Sequence, residues 1–370
     1  MAPVGKLRKT KTTVMKRITI IISLLFIVGI YQRLAAQGCV AIKGTAGVCS
    51  RPGEAAGWEL NLNTRYFKSY KHFVGTIEQK QREEEGTNVI NHSTEMDVTA
   101  TRYLNVRWSL AVTLPIMDFA RSSLYEHDGA TRHSTHSFGI GDARFSAYWW
   151  AFDPKTSHKG NLQIGAGIKL PTGNYNYLDY FYKTPDSSVL GPVDQSIQPG
   201  DGGTGLTFEL NGFFNFSHKV GFYGNAFYLV NPREVNGTST ARGGTASASA
   251  KKYNTDVMSV PDLYMVRGGI AYMVNRFTLS GGVRMEGLPS TDLIGGSRGF
   301  RRPGYIISAE PTITYVAKKI SFNLGVPIAI ARNRTQSNSD KRRSEDTGTH
   351  VQGDAAFADY LISAGVTFRL

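Results

Sequence analysis

The stretch Gly205–Phe216, "GLTFELNGFFNF", decides the fold. Leu206, Phe208, Leu210, Phe214 and Phe216 fall on one side, interrupted only by Gly212. Thr207, Glu209, Asn211 and Asn215 fall on the other, where Phe213 is the one apolar intruder. Alternation with a period of two is the mark of a β-strand, because successive side chains leave opposite faces of the pleat. A soluble sheet would turn the greasy face inward. A transmembrane barrel would turn it to lipid and enclose the polar face in a lumen.

Eleven further segments alternate in the same way. Trp58, Leu60, Leu62 and Tyr66 oppose Glu59, Asn61, Asn63 and Arg65. Leu162, Ile164, Ala166, Ile168 and Leu170 oppose Asn161, Gln163 and Lys169. Tyr360, Ile362, Ala364, Val366, Phe368 and Leu370 oppose Asp359, Ser363, Thr367 and Arg369. The connections alternate too. Short turns near Leu104–Val106, Asp153–Gly160, Ser217–Val220, Asn275–Arg276 and Ala317–Lys319 separate long polar loops at Thr76–Ser93, Ala120–Phe138, Thr172–Gly203, Asn231–Asp262, Gly287–Pro303 and Arg332–Ala356. Turns on one rim and loops on the other belong to a barrel, and a soluble sandwich has no reason to sort them. Aromatics gather at the segment ends. Tyr66, Tyr228, Tyr264, Tyr305 and Tyr360 are assigned to an outer girdle, and Trp58, Trp108, Trp149, Phe222, Tyr272, Phe277 and Tyr315 to an inner one. Three charges, Lys68, Arg102 and Arg332, have lipid-side parity, all near segment ends where such a charge costs little. The expectation is an all-β protein: an antiparallel transmembrane β-barrel of about twelve strands, with long extracellular loops and short periplasmic turns.

Composition agrees. Hydrophobic residues make up 41% of the 370, too few for a helical membrane protein but enough for a barrel, in which half of each strand faces water. Residues 1–36 read as a signal peptide: a basic start, the apolar core Ile18–Ile30, and Ala35 and Ala36 before the expected mature start at Gln37. Met15, opening "MKRITII", offers an alternative start. Removing residues 1–36 takes seven Lys/Arg and no acid, so the formal charge of +13 falls to +6 and the case for nucleic-acid binding falls with it. Residues 37–57 form a periplasmic N-terminal segment, and 58–370 the barrel. Cys39 and Cys49 are the only cysteines, and export to an oxidising compartment predicts a disulfide between them. Acylation of Cys39 is the alternative, on the loose lipobox "AAQGC".

The final residues, "SAGVTFRL", resemble the C-terminal signal read by the barrel-assembly machinery, with Ser363, Gly365, Phe368 and Leu370 filling its pattern. "GIGDARFSAYWW" at Gly139–Trp150 and "GAGIKLPTGNY" at Gly165–Tyr175 resemble the outer-membrane family named for the phenol meta-degradation pathway, of Bacteroidetes type here. That resemblance implies a twelve-strand barrel in the outer membrane of a Gram-negative bacterium and passage of small, often apolar or aromatic molecules. The partners it implies are outer-membrane lipid, the assembly machinery and a small solute, with no nucleic acid.

The lumen side carries opposed charges. Glu59, Asp97, Glu209, Glu286, Glu310 and Asp359 face Arg65, Arg107, Arg144, Lys169, Arg267, Arg284 and Arg369. Such a lining either makes a charged constriction or fills a narrow barrel with ion pairs. Lys169, Arg267, Arg284, Glu209, Glu286 and Glu310 are the candidates for the narrowest part. The leading function is a passive channel for small solutes. The alternative is a plugged structural or adhesive barrel acting through its charged loops. An outer-membrane lipase ranks below both, because His133 and His136 lie beside Ser134 and Ser137 in a loop with no fixed Ser–His–acid frame. No catalytic, metal or cofactor motif is found. "GDGGTG" at Gly200–Gly205 lacks the Lys and helix of a phosphate loop and reads as a flexible entry to the next strand.

Overall fold

The structure is a computed structural model describing residues 56–370. The predicted signal peptide and the Cys39–Cys49 pair lie outside the described residues. The wall begins with β1 (Gly57–Val74), the short β2 (Ile77–Glu78) and one helical turn, α1 (Gln81–Glu84). Next come β3 (Ile90–Tyr103), β4 (Trp108–Ser123), β5 (His133–Ile140), β6 (Arg144–Trp150) and β7 (Gly160–Lys169). A hairpin, β8 (Leu178–Thr184) with β9 (Ser187–Pro192), stands in the following loop. The wall resumes with β10 (Gly205–Asn215) and β11 (Val220–Val230). The next loop holds β12 (Val235–Ser239), α2 (Ala248–Lys252) and β13 (Val257–Ser259). β14 (Leu263–Val274), β15 (Phe277–Leu288), β16 (Gly304–Ala309), β17 (Thr312–Val316), β18 (Ile320–Gly325) and β19 (Ile328–Arg334) follow. α3 (Asn338–Thr347) caps the last loop before β20 (Ala355–Arg369).

Three wall strands are each broken in two: β5 with β6, β16 with β17, and β18 with β19. Both halves of each pair to the same neighbour, so the wall has twelve antiparallel strands. The second break is at Glu310–Pro311 and the third at Val326–Pro327, where proline lacks the donor a ladder needs. β20 returns to β1, pairing from Glu59↔Arg369 to Phe73↔Ala355, and closes the barrel.

Burial answers the question raised by Gly205–Phe216. Phe208 is 51% exposed, whereas Thr207 and Asn211 are each 1% exposed. The same inversion runs round the wall, with Leu110, Val266, Val283 and Phe322 exposed and Thr99, Arg284 and Glu310 buried. Polar inside and apolar outside is the reverse of a water-soluble protein and matches a barrel in lipid.

Strand tilt is visible in the register. One row runs Trp58↔Arg102↔Leu110↔Ala147↔Ala166↔Phe208↔Tyr228↔Tyr264↔Gly287↔Tyr305↔Asn333. It starts at the inner end of β1 and finishes near the outer end of β19, as the stagger of a closed barrel requires. The row therefore passes from one aromatic girdle to the other.

The second long loop is shorter than its sequence suggests. β4 runs on to Ser123 and β5 starts at His133, so residues 124–132 alone connect them. Arg121, Thr135 and Ser137 look like loop residues, but they point into the enclosed side of a wall extending beyond the apolar band.

Candidate functional site

The lumen charges are tied to one another. Near the inner end, Glu59 lies 3.6 Å from Arg369, and Asn61 Nδ2 donates to Thr367 at 2.7 Å. Further up, Arg144 lies 3.5 Å from Asp97, Arg65 pairs with Glu95, and Tyr148 donates to Glu209 at 3.0 Å. On the opposite wall Glu310 is shared by Arg267 at 3.0 Å and Arg284 at 3.4 Å, while Arg284 also holds Glu286 at 2.6 Å. Arg267 Nε donates to Asn225 at 2.9 Å. The two walls face each other across one cavity, which Arg65 and Glu286 both line. Opposed signs in a buried network stabilise one another only as a set, and such pairs have little charge left over to select ions. Asp359 stands apart at the outer end of β20, where it meets Tyr70, Lys71 and Arg332.

Lys169 serves a clamp that the sequence did not reveal. Its Nζ lies 3.4 Å from Asp142 and pairs with Asp201. Asp142, the acid of "GIGDA", accepts from the backbone N–H of Gly173 at 2.9 Å and of Asp201 at 3.1 Å. Thr172, from "KLPTG", donates through its hydroxyl to Gly141 O at 2.8 Å. Gly173 and Gly200 must lack side chains: a Cβ on Gly173 would lie 2.8 Å from Gly200 Cα. The two motifs thus clasp the start and end of the third long loop to the wall. The stretch beginning at Gly200, which reads as flexible in the sequence, is held by this clamp.

The clasped loop folds inward and roofs a cavity of about 650 Å³. Its floor includes Arg65, Glu95, Arg144, Lys169 and Glu286, and its roof includes Gln195, Ser196, Gln198–Asp201 and Met258. Between them are apolar groups: Met117, Phe227, Met265, Leu288, Ile306 and Leu361. A second clasp fixes the roof from above. Burial disfavours the Asp194 carboxylate, but Arg121 and Arg302 outweigh it and hold its pKa well below the usual range. Arg302 reaches Asp194 at 2.7 Å, and Arg121 reaches Glu126 at 2.8 Å.

The wall beside the cavity has a seam. β16 pairs with β19 up to Gly304↔Arg334, but β19 pairs with β20 only at Ile328↔Tyr360. Beyond that point β19 crosses to Gly75, exchanging two backbone hydrogen bonds through Arg334. The ladder between β19 and β20 is replaced by one side chain. Arg332 donates to Ala358 O at 3.1 Å and to Asp359 at 2.6 Å. Pro327, Ala329, Ala355–Ala358 and Tyr360 all line the cavity, so it abuts this seam.

The His-Ser stretch does not assemble a nucleophile. His133 stacks on Tyr182, with centroids 4.2 Å apart. The backbone N–H of His136 donates to Asp179 at 2.7 Å, and the Ser137 hydroxyl donates to Ile197 O. Among the described residues, no group of three His, Cys, Asp or Glu is placed to hold a metal ion.

An exposed apolar outer face, a buried polar inner face and a closed antiparallel ladder define a transmembrane β-barrel of the outer-membrane class. No protein-family profile matches the chain, and no curated protein does. Among solved structures, it is similar to an outer membrane channel from Pseudomonas putida F1, with a TM-score of 0.54 and 11% identity over 87% of this chain and 100% of that one. The translocator domain of the autotransporter NalP from Neisseria meningitidis gives a TM-score of 0.43 and 10% identity, covering 85% and 88% of the two chains. A Pseudomonas aeruginosa FadL homologue gives 0.40 and 9%, covering 85% and 90%. At these identities the likeness to the first is a likeness of fold.

Proposed function

We propose that this protein is a passive conduit for small apolar or aromatic solutes across the outer membrane of a Gram-negative bacterium, without enzymatic activity. The observation that carries the reading is the roofed, mainly apolar-walled cavity lying against a seam closed by a single arginine. A solute bound there is flanked by balanced ion pairs, so neutral molecules suit it better than ions. The sequence motifs add support for the phenol meta-degradation-pathway family, and the signal peptide, the Gln37 start and the Tyr-rich strands for a Bacteroidetes-type source. The same reading includes export by residues 1–36, a Cys39–Cys49 disulfide, and recognition of Ser363, Gly365, Phe368 and Leu370 by the assembly machinery. Lumen residues Glu59, Arg65, Arg144, Lys169, Glu209, Arg267, Arg284, Glu286 and Glu310 are the proposed lining.

Proteoliposomes test it with a panel of sugars, amino acids, aromatic acids and neutral aromatics. Neutral aromatics are expected to equilibrate fastest, and Arg332→Ala to speed them further while leaving ion conductance unchanged. A folded protein that admits none of the panel would defeat the reading. The shared Glu310 network favours a second reading, a lumen closed for structural reasons with function in the loops, and that result would select it.

A further inference from the structure

The outer face beside the seam carries two lysines, Lys68 and Lys71, that the solute route does not use. β1 and β20 are both bulged there, since Phe67↔Leu361 is followed by Ser69↔Ala358 and Lys71↔Phe357. Phe67, Ser69 and His72 line the cavity. Lys68 therefore lies on the outer face, and the bulge places Tyr70 and Lys71 there together. Lys68 Nζ is 4.9 Å and Lys71 Nζ 5.9 Å from the centroid of the Tyr70 ring. The Tyr70 hydroxyl donates to Asp359 at 2.8 Å, and Lys71 lies 3.1 Å from the same carboxylate. His92 stands opposite Lys68, its Nδ1 2.9 Å from the Tyr66 hydroxyl. Two acids bear on this group: Asp359, already shared by Lys71 and Arg332, and Glu83 on α1, whose charge reaches Tyr70. Lys68 makes no ion pair with either acid, and Arg332 of the seam shares the charge of Asp359 with Lys71.

Height identifies the partner. Lys68 lies ten residues beyond Trp58 on β1. At about 2.5 Å of height per residue for a strand tilted about 40°, it stands about 25 Å above the inner girdle, the height of the apolar band. That is where lipid headgroups begin. A lysine with its stem along the belt and its ammonium at this level needs an anion from the membrane. We propose that Lys68 and Lys71, framed by Tyr70, hold the phosphate of an outer-leaflet lipid headgroup. This site lies outside the solute cavity and does not depend on what passes through it.

Native mass spectrometry of the full chain in detergent tests the site, with diphosphoryl lipid A, its dephosphorylated form and inorganic phosphate as probes. The wild type is expected to retain the phosphorylated lipid in preference. The Lys68→Gln/Lys71→Gln variant should lose about thirtyfold in retention, from roughly fivefold for each lysine near a membrane surface. Lys68→Arg/Lys71→Arg should keep most of it. If the double glutamine variant does not fold, Lys68→Gln alone should show the roughly fivefold loss. Equal retention of the dephosphorylated lipid overturns the proposal, as does undiminished retention by a folded glutamine variant. Displacement by inorganic phosphate at equal concentration overturns the lipid source in favour of a free-anion site. Uptake of neutral aromatics should be unchanged in Lys68→Gln, whose side chain packs on Tyr70 and not on the Asp359–Arg332 pair, so this inference and the transport reading fail separately.

Discussion

Replacing Phe208 with arginine sets a cation on the outer face of β10, and the register row gives its depth. Phe208 is five steps along the row from Trp58. Strands about 4.8 Å apart, tilted about 40°, climb about 3 Å per step, which places Phe208 about 15 Å above the inner girdle. That is slightly past the middle of an apolar band about 25 Å tall. Phe216, eight residues further down and just past the end of β10, falls about 5 Å below the girdle. The two phenylalanines are similarly exposed, at 51% and 62%. Arginine should cost about 2–3 kcal/mol at Phe208 and about 0–1 kcal/mol at Phe216. Refolding into lipid vesicles over a urea series, read by the heat-dependent gel shift of the folded barrel, measures both. Equal costs would mean that the outer face does not sit in lipid as the girdles indicate. A lumen-side control must avoid Thr207, which is 1% exposed and whose Oγ1 would be 2.7 Å from any Cβ added at Gly167, because a bulky residue there fails for steric reasons alone.

Glu310→Gln should destabilise the folded barrel by about 3 kcal/mol, because it takes the shared carboxylate from buried Arg267 and leaves Arg284 only Glu286; adding Arg267→Gln should recover part of the loss in the same urea assay. Burial opposes ionisation of Asp354, yet His72 and Arg82 outweigh it and hold its pKa at about 2. Below the unfolded value of about 3.9 the unfolded chain binds the extra proton, so this contribution, about 2.5 kcal/mol, is complete above about pH 5 and is lost as pH falls through the folded value toward about pH 1. The stability difference between wild type and Asp354→Asn, measured across that range, should shrink accordingly. A Cβ at Gly365 would press on the side chain of Asn323 and come within 2.9 Å of Asn63 Oδ1, so Gly365→Val should lower folded yield well beyond Ser363→Ala.

The architecture was legible because a barrel strand writes both environments into alternate residues. Phe208 beside Thr207 and Glu209 needs no tertiary knowledge to assign. The lengths of β4 and β5 were less legible, because above the lipid a strand no longer needs an apolar outer face, and His136 and Ser134 then look like loop. The clamp of Asp142, Lys169 and Asp201 was missed for a different reason. Lys169 has lumen parity and so reads as a pore charge, while its partners come from a strand break and from a loop that only the fold brings back. "GIGDA" and "KLPTG" were noticed as motifs, but their meaning lies in the approach of Gly173 to Gly200. The seam left a trace in Pro327, although a single proline does not say which neighbour a strand will leave.

The partner exchange of β19 separates two properties that a simple cylinder would confound. A barrel wall is completed by joining its first and last strands, here β1 and β20, and that junction is laddered along nearly its whole length. The weak line in the wall lies one strand further on, between β19 and β20. Closure of the polypeptide into a ring and the sparsest backbone pairing of the wall thus fall on different edges of the same strand. A side-chain change on the β19 edge of β20 therefore disturbs few backbone bonds, while one on the β1 edge acts on the ladder that seals the ring.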